Sequence, residues 1–393
     1  MLSSLARLPF LPHHRVSGIT ALFVSSTLHS FALSLAGIFV PLYILQLTGR
    51  LETVFMFFAI RSVAIVATAV PAAHLVSRLG FRRSSMTGTF LYLLMIFLLI
   101  LGTQQPAYLW LAAIASGVAV PAYWLPYHLI FAEDGAREHF GREVSLLNIL
   151  SRVGTAAGPL IGGLLILFFG FSALYLATFI ILFFSVIPLS LMEHHPIHRA
   201  PSLRQLKDYL FSRVGRVWAV SFCLPQVETL ILDVVWPVFV FLSVRSYETT
   251  GGIASATLLV SILVLVVSSQ IVDRADKKKL MAVGGFFSSM GWLALALAKS
   301  NGGIFILSTF LKGVRIFYYI PFETIFYSKV AQEKLNHSLT FLVFREMILH
   351  SVGALAMFGL WLLILLGWSL NLTFLIAALA ILLSIRFVRK LGV

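Results

Sequence analysis

Twelve long apolar segments restrict this chain to a helical, membrane-spanning fold. They lie near 17–46, 53–77, 84–103, 107–132, 144–169, 171–192, 214–243, 252–272, 280–299, 302–328, 338–366 and 369–388. Each is close to or above the roughly 20 residues that a helix needs to cross the hydrocarbon core of a bilayer. The alternating pattern of a membrane β-barrel is absent from the sequence. We therefore expect an all-α polytopic membrane protein with twelve transmembrane helices.

Composition supports this interpretation. Hydrophobic residues make up 59% of the chain and charged residues 11%, against roughly 45–50% and 25% in soluble domains. The mean hydropathy is +0.97. A water-soluble protein of this size could not bury so much apolar surface in its core.

The second half of the sequence repeats the first at an offset of about 196 residues. Pro41 aligns with Pro237, and the segment 123–131 aligns with 318–326. Repeated halves with proline-interrupted apolar segments at corresponding places are typical of transporters with a central site.

The repeat also predicts the domain organisation. We expect two pseudo-symmetric bundles of six helices, an N-terminal half at 1–192 and a C-terminal half at 214–393. A polar cytoplasmic linker at 193–213 joins them.

Basic residues are distributed asymmetrically across the predicted loops. With the N-terminus inside, 21 of the 29 Lys and Arg residues fall in cytoplasmic segments, and only Arg50, Arg245 and Lys299 lie outside. This is the positive-inside pattern, and it predicts a multi-pass protein of the cell membrane with both termini in the cytoplasm. It also accounts for the net charge of +14 without a nucleic-acid partner.

Two cytoplasmic loops carry a related signature. The first runs from Ala73 to Arg83 and contains Arg78, Gly80 and Arg82; the second runs from Ser269 to Lys279 and contains Asp273 and Arg274. Both resemble the Gly-x-x-x-Asp-Arg-x-Gly-Arg-Lys signature of the major facilitator superfamily. The resemblance implies alternating access around a central cavity that is lined by the first, fourth, seventh and tenth helices.

The first loop departs from the family pattern, because Ala73 and Ser77 replace its Gly and Asp. We expect Asp273 and Arg274 to form a charge latch that stabilises one access state. For the first loop, a purely topological role of the basic residues remains an equal alternative.

The fifth segment contains a small-residue motif, Gly154 to Gly163, with Pro159 inside it. It resembles a segment typical of the proton-coupled exporters of the family. Close helix packing is the alternative role of the motif. The arginine of a second exporter signature is missing, since Ala113 stands in its place.

Ionisable residues at membrane depth are costly and usually face a cavity or one another. Those in the middle of the predicted spans are His29, Arg61, Glu228, Asp233, Lys312 and Arg315. We expect them to bind the solute or the coupling ion, with Asp233 as the better proton site, because Pro237 cannot donate to its carbonyl. A static salt bridge between the halves is the alternative.

A second group lies in the cytoplasmic third of the spans: His128, Arg152, Glu323 and Glu346. Because His128 and Glu323 occupy corresponding positions of the repeat, we expect His128–Glu323 or Arg152–Glu346 to close a cytoplasmic gate.

Several activities have no support in the sequence. There is no phosphate-binding loop, no nucleophile–base spacing and no cysteine framework around the single Cys223. We expect His194, His195 and His198 to form a solvated interfacial cluster, with metal binding as the alternative. We therefore expect no enzyme, cofactor or metal, but a secondary active transporter that moves a small solute by alternating access. Coupling to protons and export are two options that the sequence leaves open. The alternative is a non-transporting sensor or assembly protein on the same scaffold.

Overall fold

The computed structural model describes residues 16–134, 141–190, 200–332 and 335–388. These residues form helices and contain no strand. In the N-terminal half the helices are α1 (Val16–Gly37), α2 (Phe39–Thr48), α3 (Leu51–Leu101), α4 (Ala107–Asp134) and α5 (Gly141–Ser190). In the C-terminal half they are α6 (Leu203–Phe211), α7 (Arg213–Leu230), α8 (Trp236–Val244), α9 (Tyr247–Arg274), α10 (Lys277–Ala296), α11 (Asn301–Gln332), α12 (Leu335–Leu365) and α13 (Thr373–Val388). A π-helical turn at Ile231–Val235 joins α7 to α8, and a 3₁₀ turn at Leu370–Leu372 precedes α13.

Helix α3 is two membrane spans joined at one glycine. Its 51 residues would extend about 77 Å if straight, more than twice the thickness of the hydrocarbon core. Gly80 has φ 70° and ψ 177°, a conformation essentially restricted to glycine. The Tyr43 hydroxyl, close to where α3 begins, donates to the carbonyl of Leu99 near its end, at 2.6 Å. Both ends of α3 therefore lie at the same level, and the chain reverses at Gly80.

Helix α5 reverses in the same way at Gly170, which has φ 79° and ψ 177°. The Ser34 hydroxyl donates to the carbonyl of Thr155 at 2.6 Å, and the Ser25 hydroxyl donates to that of Ser185 at 2.7 Å. The part of α5 before Gly170 therefore runs parallel to α1, and the part after Gly170 runs antiparallel to it. The tight hairpin expected at this glycine is confirmed.

The number of spans follows from these two reversals. Ten described helical segments are long and apolar enough to cross a membrane, and two of them are double. The described chain therefore crosses twelve times, as the sequence predicts. Below, the Gly49 end is the membrane face where α2 meets α3, and the Gly80 end is the opposite face.

The predicted linker is partly helical. Ser202 caps α6 with a reciprocal pair of hydrogen bonds to Gln205. Leu206 is buried, and the Tyr209 ring packs against Phe344 of α12 at 5.0 Å. The cluster of His194, His195 and His198 lies outside the described residues. The division into two halves at 1–192 and 214–393 remains a prediction.

Candidate substrate cavity

A cavity of about 710 Å³ lies between the two halves, within the size range of small-molecule sites. In the N-terminal half, the cavity is lined by residues of α1, α3 and α5. In the C-terminal half, it is lined by residues of α7, α9, α11 and α12. Of the six predicted central residues, it is lined by Arg61, Asp233, Lys312 and Arg315. The cavity therefore gathers charged groups that are far apart in the sequence.

The first and seventh spans are both irregular where they line the cavity. The first span breaks at Ile38 between α1 and α2, three residues before Pro41. The seventh span contains the π-helical turn, in which the backbone N–H of Trp236 donates to the carbonyl of Ile231, just before Pro237. These places correspond in the repeat. Broken helices at equivalent positions of two halves commonly form the binding site of a transporter, and single π-turns often occur at functional sites.

Asp233 sits in the π-helical turn, and its side chain is exposed to the cavity. No described residue forms a hydrogen bond or an ion pair with its carboxylate. The charged groups that act on it through space are Arg315, Glu228, Arg61 and Lys312. Asp233 is therefore a carboxylate at membrane depth that is open to exchange of a proton or a cation.

Two cations from opposite halves face the same space. Arg61 comes from α3; its Nε is buried without a hydrogen-bond partner in the described chain, and its guanidinium lies 5.9 Å from the Phe58 ring. Lys312 comes from α11; its Nζ donates to the Thr257 hydroxyl at 3.0 Å and lies 3.7 Å from the centre of the Trp236 ring. Neither forms an ion pair with a described carboxylate.

Glu228 has a different role from Asp233, although only five residues separate them. It is fully buried and does not line the cavity. Its carboxylate accepts hydrogen bonds from Trp292 Nε1 at 2.8 Å, Tyr319 OH at 2.6 Å and Arg315 Nη2 at 2.8 Å, and Arg315 Nε lies 2.8 Å from it. This saturated ion pair is static, but it lies within the C-terminal half and not between the halves as the alternative predicts.

His29 is also set apart from the cavity. It is fully buried, its ring stacks on Tyr123 at 3.7 Å, and the edges of Tyr92 and Trp124 surround it. Neither ring nitrogen has a hydrogen-bond partner among the described residues. The structure thus places His29 in an aromatic core between α1, α3 and α4 and not beside Asp233.

Of the predicted gate residues, two find other partners in this conformation. His128 shares a hydrogen bond with the Tyr327 hydroxyl at 2.8 Å, which links α4 to α11 across the halves. Glu346 accepts from Arg345 at 2.7 Å and lies 3.4 Å from His350. The pairs His128–Glu323 and Arg152–Glu346 are therefore not formed here.

The other two gate residues, Arg152 and Glu323, both line the cavity with exposed side chains. No described residue forms a hydrogen bond or ion pair with either charged group. Arg152 on α5 acts electrostatically on Glu323 on α11. The structure therefore leaves one complementary pair free at the Gly80 end of the cavity.

The Gly49 end of the cavity is closed. Its wall stops at Ile38 in the first span and at Trp236 in the seventh. Beyond them, the Tyr247 hydroxyl donates to Gln46 of the other half at 2.8 Å, and the Tyr247 ring packs edge-on against Phe171 at 5.2 Å. The cavity accordingly extends from the middle of the molecule towards the Gly80 end.

The loop signature has a structural part. Gly80 makes the reversal of α3, Arg78 is exposed, and Arg82 Nη1 donates to the carbonyl of Ser190 at 3.4 Å. The side chains of Asp273 and Arg274 lie outside the described part of the structure, so their latch remains a prediction.

Sequence reasoning missed Asp276, which begins α10. Its carboxylate accepts from the backbone N–H groups of Lys279 and Lys278, and these bonds hold its pKa below the ordinary value. A short polar residue immediately before a helix is the signal that could have identified this cap.

The small-residue motif of α5 forms packing seams on two sides. Gly158 lies against Ser34 and Leu35 of α1, and Gly162 lies against Leu35 and Phe39. On its other side, Gly163 contacts the α9 backbone at Tyr247. Packing accounts for these glycines, so the motif does not by itself favour export.

The sequence matches the family model of the Major Facilitator Superfamily over residues 22–354. This chain belongs to the major facilitator superfamily. Two similar solved structures agree with that assignment at the level of the fold. One is a variant of the Escherichia coli fucose:proton symporter FucP, with a TM-score of 0.65 and 16% sequence identity. The other is FucP in the outward conformation, with a TM-score of 0.64 and 14% sequence identity. Each comparison covers 96% of this chain and 100% of the other. No curated protein matches the sequence.

The predicted family and the all-α membrane fold are thereby confirmed. Family and fold together indicate a multi-pass secondary transporter of small solutes and not an enzyme.

Proposed function

We propose that this family member is a proton-driven secondary transporter that moves a small solute through the central cavity by alternating access. The single observation that carries the proposal is the Asp233 carboxylate, which is unpaired among the described residues, exposed to the cavity and held on a broken helix. An acid with a purely structural role would have its hydrogen-bond acceptors filled by protein donors, as Glu228 has.

Asp233 has the environment that proton coupling requires. Burial at membrane depth favours the neutral, protonated form of a carboxyl group, whereas nearby cations favour the ionised form. Arg61 approaches from the N-terminal half, and Lys312 and Arg315 from the C-terminal half. A movement of the halves changes the distance to Arg61, so that the proton is bound in one state and released in the other.

Alternation of access is supported by the unequal ends of the cavity. The contact of Tyr247 with Gln46 closes the Gly49 end, and in the opposite state this contact opens. Arg152 and Glu323 then approach and close the Gly80 end. The His128–Tyr327 bond already joins the halves there, and it serves as one edge of the gate.

We place the protein in the cell membrane with both termini and the Gly80 end in the cytoplasm, because basic residues concentrate at that end. In a Cys223→Ser background, cysteines at the exposed positions Thr103 and Gly367 should react with an impermeant thiol reagent from outside, and a cysteine at the exposed position Arg83, beside Gly80, should not. The opposite labelling would reverse the orientation.

The function is tested in proteoliposomes with a library of labelled solutes. We expect at least one solute to show counterflow and to accumulate under an inward proton gradient. Asp233→Asn should abolish accumulation but retain counterflow, because exchange needs no net proton movement. Asp208→Asn, an exposed acid on α6, is the matched control and should behave like the unmodified protein.

Two outcomes would contradict this function. Normal accumulation in Asp233→Asn would exclude proton coupling at this residue. Absence of counterflow for every solute would favour the non-transporting alternative.

A further inference from the structure

The charges around the cavity divide into compensated and uncompensated groups. Arg315 is neutralised by Glu228, and Arg345 by Glu346. Among the described cavity-lining residues, this leaves Arg61, Lys312 and Arg152 as cations without an ion-pair partner, and Asp233 and Glu323 as carboxylates without one. The uncompensated charge is therefore positive, and it becomes more positive whenever a carboxyl group is protonated.

The central part of the cavity shows this excess most clearly. Arg152 and Glu323 both line the cavity towards the Gly80 end, and their charges are opposite and cancel in the sum. In the centre, Arg61 and Lys312 face Asp233 alone. The net central charge is thus one positive unit with Asp233 ionised and two units with Asp233 protonated.

Both central cations lack an ion-pair partner among the described residues, and the position of Lys312 is fixed by its neighbours. The bond to Thr257 and the contact with Trp236 fix the Lys312 ammonium, which has three donor hydrogens. Arg61 retains a buried Nε–H without a partner in the described chain. A charge at membrane depth is costly without a counter-charge, and an anionic ligand would supply that counter-charge to both residues.

The walls beside these cations are apolar and aromatic. Phe58 lies next to Arg61, Trp236 next to Lys312, and Tyr319 about two helical turns beyond Lys312, all lining the cavity. A ligand with one charged group and an apolar body therefore fits the site better than a small inorganic ion.

We propose that the solute is an organic anion, with a carboxylate or phosphate held between Arg61 and Lys312, and that protonation of Asp233 promotes its binding. This inference rests on the proposed transport function and names its substrate class. The anion bridges α3 of one half and α11 of the other, so its binding draws the halves together. Proton and anion then cross in the same direction, and an inward proton gradient drives uptake.

The proton dependence involves every charged group that faces Asp233. These are Glu228 on α7, Lys312 and Arg315 on α11, and Arg61 on α3. Because Glu228 and Arg315 compensate each other, the proton on Asp233 changes the charge that the anion experiences. When the binding of one ligand, here the proton, changes the affinity for a second ligand, the change is typically about 5–150-fold. We expect the anion to bind at least roughly tenfold more tightly after protonation.

The test uses the purified full chain and matched sets of compounds with one aromatic body. Each set contains a carboxylate, a phosphate monoester, a neutral amide and an amine. Binding is measured by tryptophan fluorescence and thermal shift, and transport by counterflow. We expect one of the two anions to bind, more tightly as pH falls, and the amide and amine to bind at least roughly tenfold more weakly. The comparison of carboxylate with phosphate identifies the anionic group.

Variants locate the site. Arg61→Gln and Lys312→Gln should each weaken anion binding, whereas Lys299→Gln, an exposed cation outside the cavity, should not. Arg61→Lys keeps the charge and should restore part of the affinity, which separates binding from folding. Asp233→Asn should bind the anion at high pH as tightly as the unmodified protein binds it at low pH.

Three results would overturn the substrate class: tighter binding of the amine than of both anions, unchanged anion affinity in both glutamine variants, or anion affinity that does not change with pH. If an anion binds with the expected dependence but shows no counterflow, the site is correct and the transport function is wrong. If a neutral or cationic solute is transported instead, the function stands and this inference fails.

Discussion

Glu228→Gln should be among the most destabilising single substitutions in the C-terminal half. The carboxylate is fully buried and receives donors from Trp292, Tyr319 and Arg315 at 2.6–2.8 Å. A glutamine at this site keeps one acceptor oxygen but removes the negative charge and points an amide donor at other donors. Arg315 is then a buried cation without its counter-ion.

The expected magnitude follows from the nature of the loss. Removing one partner of a buried ion pair costs about 3–5 kcal/mol, mainly because the remaining charge is uncompensated. The double variant Glu228→Gln with Arg315→Gln leaves no such charge. It should therefore be more stable than the sum of the two single changes predicts, by about 2 kcal/mol or more, since residues in direct contact couple by amounts of this order.

The assay is equilibrium unfolding in mixed micelles with increasing denaturing detergent. The exposed pair Arg204–Asp208, at 4.0 Å on α6, is the matched control, and exposed pairs of this kind contribute about 0–1 kcal/mol. Strict additivity at the buried pair, or a cost of Glu228→Gln no larger than that of Asp208→Asn, would refute a structural role for this network.

The remaining predictions concern packing, gating and the loop. Gly162→Ala should destabilise the protein by about 1–3 kcal/mol in the same unfolding assay, because a Cβ there meets Leu35 and Phe39 of the neighbouring span. Gly154→Ala is the control and should change stability little, because Gly154 has open space around it. Equal effects of the two substitutions would contradict close packing at Gly162. Arg152→Gln and Glu323→Gln should couple in a double-mutant cycle on cysteine accessibility at the Gly80 end, and additive effects would exclude the pair as a gate. Asp273→Asn should slow turnover with little change in solute affinity, measured as initial transport rates, and an unchanged rate would leave that loop a topological signal only.

Much of the fold could be predicted because an apolar segment in a bilayer must satisfy its own backbone hydrogen bonds, which a helix does. The apolar segments had to become helices, and the glycine between two of them at Gly170 already indicated a tight hairpin. At Gly80 the sequence suggested a loop between 77 and 84, since basic residues cluster there, but the helices continue to the glycine on both sides. Hydropathy does not show that two helices can continue up to a single glycine at which the chain reverses direction.

The site could be predicted only in part. Asp233 was identifiable, because a carboxylate in the middle of an apolar segment is costly in the membrane unless it faces a cavity or a partner. Its π-helical turn was not, because the sequence around Pro237 indicates an irregular helix but not which kind of turn forms. The partners of Glu228 and His128 lie on other helices, Trp292 and Tyr327 among them. No local pattern in a sequence specifies such distant contacts.

The single-residue reversals restrict how the N-terminal half can move. One residue spans at most about 3.5 Å, so the spans joined at Gly80, and likewise those joined at Gly170, have no slack between them. Neither member of such a pair can slide along its axis while the other stays in place. Any large displacement must therefore carry both helices of a tethered pair together, and only the longer connections elsewhere in the chain leave room for helices to shift independently.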